Sequence, residues 1–260
     1  MTISTLDNYI AAVKTRLIWM KTGVVTTVAA MPFSMINAAG EPGVGALVLA
    51  LTASGAVPAS PLAGYPLMPT ITNTGYLTKV FYGSAVACTM TLYDKVFHCG
   101  SYNFNADTTL TAQPSYVSRM PGSLYLGTEL WVEAATAFTG VATIQINYLN
   151  EAGAPGDTGA VSTLALTINR MFRIPLAGTD SGISQITRVR CTVASGGTFN
   201  VYVMRPLWMG RVQVVNDMRI DDILKTGMPI VYPTSALFIV HQTDGVVTSF
   251  PYLNLEISDK

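Results

Sequence analysis

Tyr76-Leu77-Thr78-Lys79-Val80-Phe81-Tyr82, Gly83-Ser84-Ala85 and Val86-Ala87-Cys88-Thr89-Met90-Thr91-Leu92-Tyr93 follow one another without a break. Two runs rich in β-branched and aromatic residues, parted by three small ones, read as strands joined by a hairpin connection. Cys88 shares the phase of Val86, Met90 and Leu92, which makes it a buried small hydrophobe. The strand signal recurs over residues 123–134, 143–149, 163–168, 171–175, 186–194, 199–204, 212–215, 236–241 and 252–257, with glycine-marked turns between many of them. A parallel βαβ chain needs helices of about 10–15 residues between its strands, and none of these gaps reads as one. The fold class is therefore mainly β, and the expected architecture is a jelly-roll-like antiparallel β-sandwich with an N-terminal helix and long loops.

The helix is read from the opening residues. Thr5 can cap it, Ile10, Val13 and Leu17 recur at spacings of three and four, Lys21 meets the negative end of the dipole, and Gly23 supplies a stop. Residues 1–23 form this helix and residues 24–260 a single β-sandwich domain with loop insertions. Trp19 and Met20 widen the apolar surface beyond the stripe. Val24–Val28 and Leu47–Leu51 read as strands set in irregular segments that run to Asn73. Residues 42–78 carry no charged side chain, but prolines and glycines interrupt them too often for a membrane helix of about 20 residues. Pro206-Leu207-Trp208 is a candidate boundary, and Asp221–Lys225 reads as a short helical turn.

The chain is 50% hydrophobic and 12% charged, against roughly 25% charge in an average soluble domain. That excludes disorder and leaves a surface of Thr, Ser, Asn, Gly and Tyr, suited to contact with other subunits. Fifteen basic residues balance fifteen acidic ones, so no global charge steers the chain to nucleic acid or an anionic membrane. Between Arg170 and Arg211 six arginines stand against Asp180 alone. They read either as protein contacts or as dispersed internal pairs. No secretory signal is expected from Met1-Thr2-Ile3-Ser4, and three cysteines without a close pair point to folding in a reducing cytoplasm.

Chemistry-bearing patterns are sparse. His98 and His241 are the two histidines. His98 and Cys99 are neighbours on a strand and point oppositely, which fits neither a metal site nor a Cys–His pair. Glu129 and Glu133 lie about 13 Å apart along an extended backbone, too far for the carboxylate pair of a glycosidase. Glu129, Trp131 and Glu133 share a face opposite Leu130 and Val132. On that outward face Trp131 could dock into a subunit or stack on a sugar, or it could lie under a loop. The glycines from Gly40 to Gly45 lack the ending of a phosphate loop. No catalytic residue, cofactor or metal is expected, and the chain reads as non-enzymatic.

Three tracts carry a family resemblance: Thr5-Leu6-Asp7-Asn8-Tyr9-Ile10-Ala11-Ala12-Val13-Lys14, Leu130 through Gly140, and Met204-Arg205-Pro206-Leu207-Trp208-Met209-Gly210-Arg211 with Lys225-Thr226-Gly227-Met228-Pro229. Together they resemble structural proteins of tailed-bacteriophage virions, including capsid decoration (cement) proteins. The resemblance implies a virion component on the capsid exterior, a homotrimer bound to the major capsid protein or another virion protein. A collar or tail-appendage component, or a carbohydrate-binding module for host recognition, is the alternative. Candidate interface residues are Trp19, Met20, Glu129, Trp131, Glu133, Arg188, Arg190, Arg205, Trp208 and Arg211. The N-terminal helix and the charge-free loops of residues 42–78 are expected to face the shell.

Overall fold

A computed structural model describes residues 3–23, 26–193, 195–246 and 251–260. A helix α1 (Leu6–Ala11) leads into β1 (Val13–Lys21), β2 (Pro32–Phe33), β3 (Gly40–Glu41), β4 (Leu51–Ala56), β5 (Gly75–Ser84) and the long β6 (Cys88–Asn103). Then come β7 (Asp107–Thr109), β8 (Glu129–Thr136), β9 (Thr143–Asn150), β10 (Pro155–Asp157), β11 (Val161–Ser162), β12 (Met171–Ile174) and β13 (Ile183–Val193). The last stretch holds β14 (Thr198–Val212), β15 (Met218–Asp221), helix α2 (Ile223–Thr226), β16 (Ile230–Val231), β17 (Leu237–Thr243) and β18 (Pro251–Asp259).

The chain is mainly β and its sheets are antiparallel. A seven-stranded sheet in the order β12-β8-β14-β6-β17-β2, with β4 on β6, is the centre of the sandwich. One of its faces packs on two other sheets. Val96, Phe97 and Cys99 of β6 and Phe199, Val201 and Val203 of β14 meet Ile144, Ile146, Ile186 and Val189 of the five-stranded sheet β10-β9-β13-β7. Further along the same strands, Cys88, Met90, Leu92 and Trp208 meet Leu17, Trp19, Val80, Tyr82 and Leu255 of the six-stranded sheet β15-β5-β18-β1-β3. The opposite face of the central sheet, with Tyr93, Trp131, Tyr202 and Phe238, is closed by Ile36, Leu47 and Tyr65. Three layers result, and β6 and β14 run through both lobes.

The structure corrects several expectations. The helix stops at Ala11, and Val13–Lys21 is a strand with alternating burial from Arg16 onward. The run Thr15-Arg16-Leu17-Ile18-Trp19 is β-branched and aromatic, and pairing with β3 and β18 outweighs the chance spacing of Ile10, Val13 and Leu17. β5 and β6 do not form a hairpin. The chain crosses from one sheet to the other at residues 85–87, so Val80 and Tyr82 face Cys88 and Met90 across a core. Residues 163–168 make no strand, and of Leu47–Leu51 only Leu51 is in one, as the first residue of β4. Val24–Val28 lies partly outside the described residues. Pro206 interrupts nothing. Past Met204 strand β14 borders β6 alone, so the missing N–H falls on an open edge beside a bulge.

Both histidines are buried. Neither imidazole nitrogen of His241 has a hydrogen-bond partner, nor does Nδ1 of His98. Burial pushes each pKa down to about 3, with Lys95 and Arg119 adding to the effect at His98. Their folded pKa values lie below the unfolded value of 6.5, so the unfolded chain binds more protons between the two. The stability present above pH ~6.5 is therefore lost as pH falls towards 3, at up to about 1.4 kcal/mol per pH unit for each histidine. Urea unfolding between pH 7 and 5 should show this slope, and His241→Phe should roughly halve it. Glu133, raised by burial, pulls the opposite way where it titrates, so the deciding reading is the variant: a profile left unchanged by His241→Phe would overturn the assignment.

Candidate interaction face

The outward face of the six-stranded sheet is built from alternate residues of four strands. Leu17 and Trp19 of β1, Val80 and Tyr82 of β5, and Leu253 and Leu255 of β18 point into the core. Their neighbours necessarily point out. The register sets those neighbours in two rows across the sheet. Met218, Gly83, Tyr252 and Met20 form one row, and Ile220, Phe81, Asn254 and Ile18 the other. Met218 and Ile220 are 58% exposed and Ile18 and Met20 45%, an apolar area open to solvent. Asn254 Oδ1 is buried among them without a hydrogen-bond partner.

Charge frames one side of these rows. Arg16 and Lys79 stand 5.7 and 5.8 Å from the centre of the Phe81 ring. Tyr9 of α1 donates to Glu256 at 2.9 Å, and Lys79 stands 4.0 Å from the same carboxylate. Helix α1 is thereby tied to this end of the sheet, although none of its residues is buried and Leu6 and Ile10 are open. An apolar centre with a charged rim is the anatomy of a protein–protein contact.

Of the residues singled out from sequence, only Met20 lies on this face. Trp19 is fully buried in the core. Glu129, Trp131 and Glu133 do share a side of β8, but it faces inward beneath the loop layer. Trp131 packs edge-on against Tyr93 at 5.8 Å and donates to Glu129, which also pairs with Arg173 at 2.7 Å. Glu133 is fully buried and accepts from Ser34 and Tyr202, and burial raises its pKa above the ordinary carboxylate value. Trp208 is buried against Tyr82 and donates to Asp221 at 2.9 Å. The arginines are largely paired within the chain: Arg188 with Asp107, Arg211 with Asp244, and buried Arg205 with Asp94. Arg190 is exposed. The charge-free loops of residues 42–78 chiefly cover the central sheet, although Val44, Val48, Leu62 and Leu67 remain open.

His98 and Cys99 diverge, the imidazole towards the loop layer and the thiol into the core. Among the described residues no group of three or more His, Cys, Asp or Glu side chains could hold a metal ion, and no helix is long and apolar enough to cross a membrane.

No protein-family model matches the sequence, and no curated protein matches it. Weak structural neighbours include capsid proteins of infectious bursal disease virus. The Gt strain aligns over 95% of this chain and 81% of its own at 7% identity and a TM-score of 0.19, and VP2 in T=1 particles over 95% and 77% at 7% and 0.16. An arabinose-bound α-L-arabinofuranosidase aligns over 74% of this chain at 11% identity and a TM-score of 0.21, and this chain spans 32% of its length. At such scores none of these likenesses bears on what the chain does.

Proposed function

We propose that this chain is a non-enzymatic structural protein of a virion, bound to the outside of a capsid shell as a homotrimeric decoration or cement protein. The observation that carries the reading is the open apolar face formed by Ile18, Met20, Phe81, Met218, Ile220 and Tyr252. Exposed apolar rows of this kind are favourable to cover, and covering them needs few charges to be stripped of water. The tracts resembling tailed-phage virion proteins supply the kind of assembly. Low charge supports it, because a surface short of ions suits many repeated contacts on a particle. The glycan-binding alternative loses its stacking residue, since the Trp131 indole lies under the loop layer.

Light scattering should report a threefold mass that persists at 1 M salt, where screening has shortened to about 3 Å while apolar burial remains. Ile18→Asp should reduce that mass to the monomer or abolish sedimentation with capsids. Its unfolding free energy should stay within about 0.5 kcal/mol of the parent, as for other exposed positions. A monomer at micromolar concentration that also fails to sediment with capsids would refute the reading.

A further inference from the structure

On the far side of the central sheet, a cavity of about 370 Å³ lies between the sheet and the loop layer. Its walls are apolar, with Leu49, Leu51, Val57, Pro58 and Leu62 among them. Two polar groups of β6 line it, Lys95 and His98, which a bulge opposite Val203 and Met204 brings to one side. Lys95 is 1% exposed. Its ammonium sits 3.6 Å from the ring centres of both Tyr202 and Phe238 and 5.4 Å from that of Tyr65. Among the described residues no hydrogen bond or ion pair reaches this ammonium, and beside the rings only the charge of Glu133 acts on it. Nδ1 of His98 is also without a partner.

We propose that this cavity is a binding site for an apolar monocarboxylate, with the carboxylate on Lys95 and His98 and the hydrocarbon among the loop side chains. A buried amine without an acceptor is unfavourable, and an anion supplied by a ligand corrects it. The aromatic faces attract a cation but accept no N–H as a carboxylate does. Glu133 acts on the ammonium through its charge but makes no hydrogen bond or ion pair with it; its oxygens accept from Ser34 and Tyr202. At about 30 Å³ for a water-sized unit, the volume takes roughly a dozen non-hydrogen atoms. Leu49, Leu51, Val57, Pro58 and Leu62 give the hydrocarbon an apolar wall.

The same geometry sets a pH dependence. Burial lowers the Lys95 pKa to about 7, against the opposing pull of Glu133. His98 and Arg119 are the neighbouring bases, and Tyr65 and Tyr202 stay protonated because burial raises both. A carboxylate binds the protonated amine, so above pH 7 binding must draw in a proton and affinity must fall.

Sodium decanoate, with about a dozen non-hydrogen atoms, is the probe, and 1-decanol its uncharged control. Calorimetric titration of the whole chain should show decanoate binding that weakens by about tenfold per unit above pH 8, while decanol binding does not change with pH. Lys95→Met should weaken decanoate at least about tenfold and leave decanol nearly unaffected. Ala59→Phe, on the cavity wall away from the amine, should abolish both. Absence of decanoate binding by the parent, affinity independent of pH, or full binding by Ala59→Phe would each overturn the proposal. If Lys95→Met folds, as circular dichroism would report, and binds decanoate as well as the parent, that too overturns it.

Discussion

Asp94→Ala is expected to lower the unfolding free energy by about 3–5 kcal/mol, because it strands two buried cations. Asp94 is fully buried on β6, between Leu92 in one lobe and Val96 in the other. Its carboxylate accepts from Arg119, from Arg205 at 3.3 Å, from the Ser235 hydroxyl at 2.8 Å and from the Ala236 N–H at 3.1 Å. Arg119 reaches on to the carbonyls of Pro58 and Lys95, so the loss would loosen the loop layer as well. Asp94→Asn, which keeps an acceptor but no charge, should lose less than the alanine variant. Equilibrium urea unfolding decides it, and a loss below about 1 kcal/mol for Asp94→Ala would show the network to be dispensable. Burial alone would raise the Asp94 pKa, but the two guanidiniums bring it below 3.8. Its contribution is thus present above that value and lost only as pH falls further, below the range in which the histidines begin to act.

The second large effect separates two neighbouring residues. Trp19→Ala should cost about 3–5 kcal/mol, as for other large aromatic side chains removed from a core, whereas Met20→Asp should leave stability within about 0.5 kcal/mol of the parent. Trp19 is fully buried against the central sheet, while Met20 stands on the open face. Met20→Asp should instead impair association, with the mass by light scattering falling towards the monomer. Equal stabilities for the two variants would contradict the strand assignment of Val13–Lys21 and restore the helical reading.

That pair of residues also marks how far the sequence could be read. From Tyr76 onward, alternation and turn residues disclosed most of the strands, because a half-buried strand writes its period into its side chains. It could not disclose which sheet each strand joins. Val80 and Met90 are apolar in the same way whether their strands pair side by side or face each other, and here they face each other. In β1 both phases are apolar, since one lines the core and the other the open face, so the alternation was hidden and a helical spacing took its place. For β8 the grouping of Glu129, Trp131 and Glu133 on one side was legible, but in and out were exchanged. Only the distant segment holding Ser34, Leu47 and Tyr65 makes that side an interior. The open face was illegible for a related reason: its rows are assembled from four strands that lie far apart in the chain.

The pairing of β1 with β18 has a consequence for the order of events during synthesis. Tyr9 and Glu256, joined by a hydrogen bond in the finished sheet, are 247 residues apart in sequence. A growing chain makes β1 early, yet Leu17 and Trp19 find their neighbours Leu253 and Leu255 only after nearly the whole polypeptide has been made. Contacts of such long range slow folding, and exposed strand edges invite mispairing while they wait. Until β18 arrives, β1 offers water two apolar faces and an unpaired edge, a natural substrate for a holding chaperone on the ribosome.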